Sequence, residues 1–346
     1  MGVVTPGGAE LSRLRDGGNP CVFIVGCLRS GTTVFRHVVD AHPDLAVVNE
    51  TQWLPGVFEQ HKYQDQRDLR GKPESRDVWV DPVTVAEVLE HERFARLGLS
   101  ASQVRRLVDE QQPLRYQDFV RRVFDACGLA TGKELIGEKS PGYVRHLPTL
   151  RFLWPGARFV HLIRDGRDVC LSLLGWKPEK QQRTIGRFST WSEYPLMTAG
   201  LWWEWHVRLG LEAREWIARQ VHEVRYEELV SAPEQECRAL CAFLNLPYDP
   251  RMLRFHEHQG TQTTARRRGP NVPLTPGLRN WRTELEPSQR VEFESAAGDL
   301  LDELGYGRSV AVDARTKRVA EQVRETFARE AATRRRKVLA WTEAQV

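Results

Sequence analysis

Residues 21–40 read Cys-Val-Phe-Ile-Val-Gly-Cys-Leu-Arg-Ser-Gly-Thr-Thr-Val-Phe-Arg-His-Val-Val-Asp. The first part, Cys21 to Val25, is an apolar run rich in β-branched side chains and reads as a buried strand. From Thr32 onward the apolar residues Val34, Phe35, Val38 and Val39 recur at helical spacing. Gly26 and Gly31 bracket the turn between them. A strand, a glycine turn and a helix N-terminus make a phosphate cradle, because free N–H groups and the positive end of the helix dipole face one point. The spacing Gly26, four residues, Gly31-Thr32-Thr33 is that of the nucleotide loop G-x4-G-K-[ST], with threonine in the lysine's place. In nucleoside-triphosphate enzymes that lysine grips the β/γ-phosphates and the next hydroxyl binds Mg²⁺. Arg29 ahead of the second glycine and two hydroxyls after it suit a less charged anhydride and no metal. An ordinary βα turn is the plain alternative.

Outward from this stretch, the whole chain of 346 residues is long enough for one large α/β domain or two small ones. Its 41% hydrophobic and 28% charged content is that of an ordinary globular protein. A net charge of +4 suits an anionic small ligand and is too weak for a nucleic-acid partner. The six cysteines lie in apolar segments with no histidine at metal-site spacing, so they read as reduced and buried. Met1 to Pro20 is Gly/Pro-rich without an apolar signal core, and no apolar run approaches the ~18 residues of a membrane span. The expectation is a soluble, cytoplasmic protein with no membrane span.

Leu45 to Val48 reads as a second short strand, ending in Asn49-Glu50-Thr51. In an open parallel sheet the ligand lies beyond the carboxyl ends of the strands, so Glu50 emerges on the loop's edge. A carboxylate there can take a proton from a hydroxyl, although an isolated glutamate is more often surface. Glu134 to Lys139 is a third strand, stopped by Ser140-Pro141, with a lysine suited to charge on a phosphate leaving group. Phe159 to Ile163 is a buried strand, Arg164-Asp-Gly-Arg167 a turn, and Asp168 onward a helix with Ser172 facing back along it. Arginine offers a planar array of donors for phosphate. Val221 to Arg225 is a further strand running into a turn at Tyr226.

The loop Leu28-Arg-Ser-Gly-Thr-Thr33 resembles the 5′-phosphosulfate loop of sulfotransferases that use 3′-phosphoadenosine 5′-phosphosulfate (PAPS). Arg29-Ser-Gly-Thr-Thr-x-x-Arg36, Asp40-Ala-His-Pro-Asp44 and Glu50-Thr51 together are similar to the protein-tyrosine sulfotransferases and their bacterial relatives. The resemblance covers roughly residues 21–308. It implies a three-layer, P-loop-like α/β fold around a central, mostly parallel sheet. It implies Glu50 as general base and Lys139 beside the bridging oxygen of the sulfuryl group. Arg29, Ser30, Gly31, Thr32 and Thr33 would hold the 5′ end of the nucleotide, and Arg164 and Ser172 its 3′-phosphate. Tyr226 would lie near the nucleotide. Among the basic residues 266–268, Arg267 and Arg268 would close over the 3′-phosphate. Gln52 and Trp53 stand where the family carries its next arginine, which weakens the case for a tyrosyl peptide.

The expected reaction is sulfuryl transfer from PAPS to a hydroxyl of a small molecule or glycan, with no metal. Tyrosyl-peptide sulfation is the alternative. A small-molecule kinase with a degenerate loop and a non-catalytic nucleotide-binding regulator are the rivals. The Ala/Arg/Leu-rich composition suggests a GC-rich bacterial source, which favours the small molecule or glycan. Residues 1–20 read as a flexible N-terminus, 21–308 as the sulfotransferase domain and 59–114 as an insertion shaping the acceptor pocket. Residues 309–346 form a helical extension, for packing or a homodimer. Helices are expected over Thr84–Leu97, Ser100–Gln111, Arg115–Cys127, Pro233–Leu244, Pro287–Leu304 and Arg315–Ala344. Trp202 and Trp205 read as core, and Ser189–Pro195 as a loop lining the acceptor site. His37 and His161 are the next candidates for the base after Glu50.

Overall fold

The computed structural model describes residues 18–59, 78–108, 112–257, 274 and 280–339. Arg267, Arg268 and the rest of the basic stretch 261–270 lie outside them, as do Lys62, Arg67, Arg70, Lys72 and Arg76. Five strands, β1 (Val22–Gly26), β2 (Leu45–Asn49), β3 (Leu135–Lys139), β4 (Arg158–Ile163) and β5 (Val221–Arg225), form one sheet in the order β2-β3-β1-β4-β5. Every pairing is parallel. β1 is the middle strand, and the chain fills one half of the sheet before crossing to the other, so the loop after β1 opens at the topological switch.

Both faces of the sheet are covered, which is why β1 is apolar without alternation. Val22 and Ile24 pack with Phe35, Val38 and Val39 of the helix Thr32–Asp40. Phe23 and Val25 point the other way, into a core with Phe119, Val123 and Phe124 of the helix Tyr116–Thr131. Residues Val22 to Val25 are at most 1% exposed, so the strand that carries the loop is immobilised from both sides. All six cysteines are free and buried, as their apolar surroundings predict.

Several helix expectations are corrected. Thr84–Leu97 is not one helix but the helix Pro82–Glu90, capped by Asp81, and a separate 3-10 turn Phe94–Leu97. His91 turns extended between them. Phe94 and Leu97 are both buried, so the apolar spacing runs across the break and hides it. Ser100 opens a helix as expected, through a capping box with Gln103, but the helix runs only over Ala101–Arg105. The helix expected to end at Cys127 continues to Thr131 and stops at left-handed Gly132. After β4 the helix starts at Gly166, two residues early, because the Asp165 carboxylate accepts from the Arg167 N–H. Tyr226 opens a short helix, Tyr226–Ser231, rather than a turn.

Trp202 is core, but Trp205 is half-buried, edge-on to Phe188 and Phe327. Ser189, in the segment expected to line an acceptor site, opens the 3-10 turn Ser189–Trp191 and donates its N–H to Glu330 of the C-terminal helix Ala314–Leu339. That helix buries Ala320, Val323, Phe327 and Ala331.

Candidate active site

The sheet register sets the site out strand by strand. Asn49 pairs with Lys139, so β2 and β3 end together, and Ile24 also pairs with Lys139, so β1 runs two residues further to Gly26. Gly26 pairs with Leu162 and Ile163 with Arg225, which brings in the ends of β4 and β5. Each of the five carboxyl ends thus carries one expected residue: Glu50, Lys139, the Gly26–Thr33 loop, Arg164 and Tyr226, in that spatial order. With strands ~4.8 Å apart, the row spans roughly 19 Å.

The loop has the backbone of an anion cradle. Gly26, Arg29 and Gly31 all have positive φ, at 143°, 77° and 95°. Two of these need glycine for space as well: a Cβ on Gly26 would lie 2.5 Å from the Leu162 carbonyl oxygen, and one on Gly31 would run into the Tyr226 ring. The helix that follows has Gly31 as its cap residue, with no capping side chain and no acidic residue in the first turn. Its first amides therefore face the loop, where the dipole favours an anion. Ser30 is fully buried, and its Oγ has no hydrogen-bond partner among the described residues. Thr32 is buried and Thr33 exposed.

Arg29 and Ser172 meet directly: the Arg29 Nε donates to Ser172 Oγ at 2.6 Å. The Arg29 guanidinium also lies 5.6 Å from the centre of the Trp176 ring. Arg164 is 5% exposed, donates to Asp168 Oδ2 at 2.8 Å, and stands 4.3 Å over the Tyr226 ring. Its Nε is buried with no partner among the described residues. A buried donor without a partner costs ~1–3 kcal/mol. Ser30 Oγ in the loop and Arg164 Nε at the end of β4 are therefore two donors that the oxygens of an anionic ligand would satisfy.

At the β2 and β3 ends, Lys139 Nζ lies 2.5 Å from Glu50 Oε1 and is 1% exposed. Arg93 reaches Glu50 Oε2 at 2.9 Å and Arg96 the same oxygen at 3.4 Å. Glu50 itself is held at φ 52°. Burial alone would raise its pKa, but Lys139 and then Arg93 outweigh it and hold the carboxyl at about 2. Burial pushes Lys139 down, and the contact with Glu50 works against that.

Neither histidine stands at the carboxyl end of a strand. His161 is fully buried beneath Gly210 of the long helix Pro195–Ile217, where no acceptor could reach it. His37 lies within the helix Thr32–Asp40, its Nδ1 3.0 Å from an Arg36 guanidinium nitrogen.

Arg93 and Arg96 were not singled out from sequence. They reach Glu50 from 43 and 46 residues away, and only the break at His91 turns them toward it. The one available signal was their position in the segment expected to shape the acceptor pocket.

A glycine loop at the switch point of a parallel sheet, with cations and one carboxylate along the same edge, defines a phosphate-loop α/β protein. The model of the sulfotransferase family matches residues 20–250, and the chain belongs to that family. It is 25% identical over 241 residues to a putative protein-tyrosine sulfotransferase of Caenorhabditis briggsae, covering 70% of this chain and 71% of that protein. It is 27% identical over 331 residues to the nodulation protein NoeE of Sinorhizobium fredii, covering 88% and 72%. Among solved structures it is similar to the sulfotransferase domain from the curacin biosynthetic pathway, with a TM-score of 0.48 at 21% identity over 88% of this chain and 96% of that one. Among the described residues no helix is long and apolar enough to cross a membrane.

Proposed function

We propose that this sulfotransferase moves a sulfuryl group from PAPS to a hydroxyl of a small molecule or glycan. The observation that carries the reading is the row of strand ends, in which the Glu50–Lys139 pair stands one strand from the Gly26–Thr33 loop and Arg164 one strand beyond it. When bound, PAPS supplies a sulfuryl group on a phosphate that leaves as part of adenosine 3′,5′-bisphosphate. Arg29, Ser30 and the amides of Gly31, Thr32 and Thr33 hold the 5′ end. Arg164 and Ser172 take the 3′-phosphate, with Tyr226 fixing the Arg164 plane.

Glu50 stays ionised throughout the neutral range, so its carboxylate carries no proton when the acceptor's hydroxyl gives one up as the new S–O bond forms. Lys139 neutralises the oxygen of the S–O bond that breaks, whose electron pair stays on the phosphate. Lys139 contacts Glu50 in this structure; a shift of its charge toward that oxygen restores proton affinity to Glu50 at the step that needs it. The 82–105 segment borders the acceptor through Arg93 and Arg96, and we assign the segment that shaping role. Gln52, exposed at the position where the tyrosyl-protein enzymes carry arginine, supports the small-molecule or glycan acceptor. Tyrosyl-peptide sulfation is the second reading, favoured by the tyrosine sulfotransferases among the relatives.

The test is transfer from ³⁵S-labelled PAPS to separate panels of phenols, oligosaccharides and tyrosyl peptides. Transfer confined to peptides would replace the first reading by the second. Labelled ATP transferring phosphate instead would overturn both.

A further inference from the structure

Behind Glu50 lies a second carboxylate. Glu138, the residue before Lys139, is 0% exposed. Its Oε1 accepts from the Thr51 N–H at 2.9 Å, from Thr51 Oγ1 at 2.6 Å and from Ser140 Oγ at 2.6 Å. Thr51 follows Glu50 and Ser140 follows Lys139, so one oxygen ties together the residues next to both members of the pair. Around this knot, Glu50 N donates to the Lys139 carbonyl at 2.8 Å, and the Tyr143 hydroxyl lies 3.2 Å from Thr51 Oγ1 and accepts from the Leu54 N–H.

The knot has a cost and a return. A buried carboxylate with no salt bridge among the described residues is expensive, and burial raises its proton affinity. Three donors on one oxygen offset part of that cost. The return lies in the backbone: Glu50 and Gln52 both sit at positive φ, 52° and 62°, with Thr51 between them. Non-glycine residues hold such conformations only where their surroundings over-determine them, at a cost of ~1–3 kcal/mol each. Thr51, clamped by both its N–H and its hydroxyl, is that over-determination.

We infer that Glu138 is a positioning residue for sulfuryl transfer, holding the strained Glu50–Gln52 backbone so that the Glu50 carboxylate meets Lys139 at the strand ends. This rests on the reading of Glu50 as the base. Misplacing a reacting group by ~1 Å costs roughly 10²-fold in rate. Glu138→Ala is therefore expected to lower single-turnover transfer roughly 100-fold while the affinity for adenosine 3′,5′-bisphosphate stays within about threefold. Glu138→Gln keeps an oxygen for the same donors and should recover about tenfold of the loss, since neutral acceptors are about half as strong. If Glu138→Ala fails to fold, the isosteric Thr51→Val, which removes one of the three bonds, should cost about tenfold.

The deciding measurement is a double-mutant cycle. If Glu138 acts through Glu50, Glu138→Gln should cost almost nothing in a chain already carrying Glu50→Gln. Full additivity of the two losses overturns the inference, as does normal transfer by Glu138→Gln and Thr51→Val while Glu50→Gln is impaired. Normal transfer by Glu50→Gln alone overturns the reading of the base, and the inference with it.

Discussion

Lys139 Nζ stands 2.5 Å from Glu50 Oε1, across the ends of two neighbouring parallel strands. The contact exists because Asn49 and Lys139 are register partners, and because Glu50 turns left-handed as it leaves β2. A buried ammonium and a half-buried carboxylate meet where the sheet edge opens, beside the phosphate loop.

From this pair comes the first prediction. Glu50→Gln keeps the side-chain shape and removes the proton acceptor. Transfer in a single turnover should fall by ~10²–10⁴, the usual worth of a positioned general base. Affinity for adenosine 3′,5′-bisphosphate should hardly change. Calorimetry beside a rapid-quench assay separates the two, and near-normal transfer would move the base elsewhere.

Arg164 is expected to read the nucleotide's 3′-phosphate. Adenosine 3′,5′-bisphosphate should bind much more tightly than AMP, and Arg164→Ala should remove most of that preference. A lost charge-assisted bond costs ~1.5–3 kcal/mol, or about ten- to a hundredfold in Kd. Equal affinities for the two nucleotides in the unmodified protein would sink the PAPS reading.

Gly31 combines a φ of 95° with the Tyr226 ring in the path of any Cβ. Gly31→Ala should destabilise the fold by ~1–3 kcal/mol and abolish nucleotide binding. Adding Tyr226→Ala should restore only part of the stability, because the backbone strain remains. Urea titrations of both variants check this; a fully stable Gly31→Ala that binds nucleotide would contradict the loop geometry.

Turnover should survive EDTA. Thr32 occupies the place where metal-dependent loops carry the lysine that grips a nucleoside triphosphate's β/γ-phosphates, so the loop lacks that grip on a Mg²⁺-bound triphosphate. Activity that disappears with chelator and returns with Mg²⁺ would favour the kinase alternative.

The pH dependence of stability carries the sign of Glu50. Its carboxyl is held at about 2 in the fold, against roughly 4.3 in an unfolded chain. The unfolded state therefore binds the proton first on acidification. The stabilisation is fully present above the unfolded value and is lost as pH falls toward 2. The gap in urea midpoint between the wild type and Glu50→Gln should shrink across that acid window. A gap that stays constant there would show that Glu50 is not ion-paired in solution.

Much of this was determined by sequence alone. The apolar run before Gly26, the glycine spacing and the helical period after it required a strand, a phosphate loop and a helix, since those patterns follow from local sterics and one-dimensional periodicity. Strand ends at Glu50, Lys139 and Arg164 were legible for the same reason, because each follows a short apolar run. Tertiary structure decided what meets what. The order β2-β3-β1-β4-β5 placed the three strand ends in one row. The break at His91 brought Arg93 and Arg96 onto Glu50, although the apolar spacing ran unbroken past it. Arg29 bonded to Ser172, 143 residues away, and Glu138 tied Thr51 to Ser140 beneath the surface. Such contacts depend on the register and twist of strands distant in sequence, and on burial that turns a plain glutamate into a structural anchor. No local pattern encodes either.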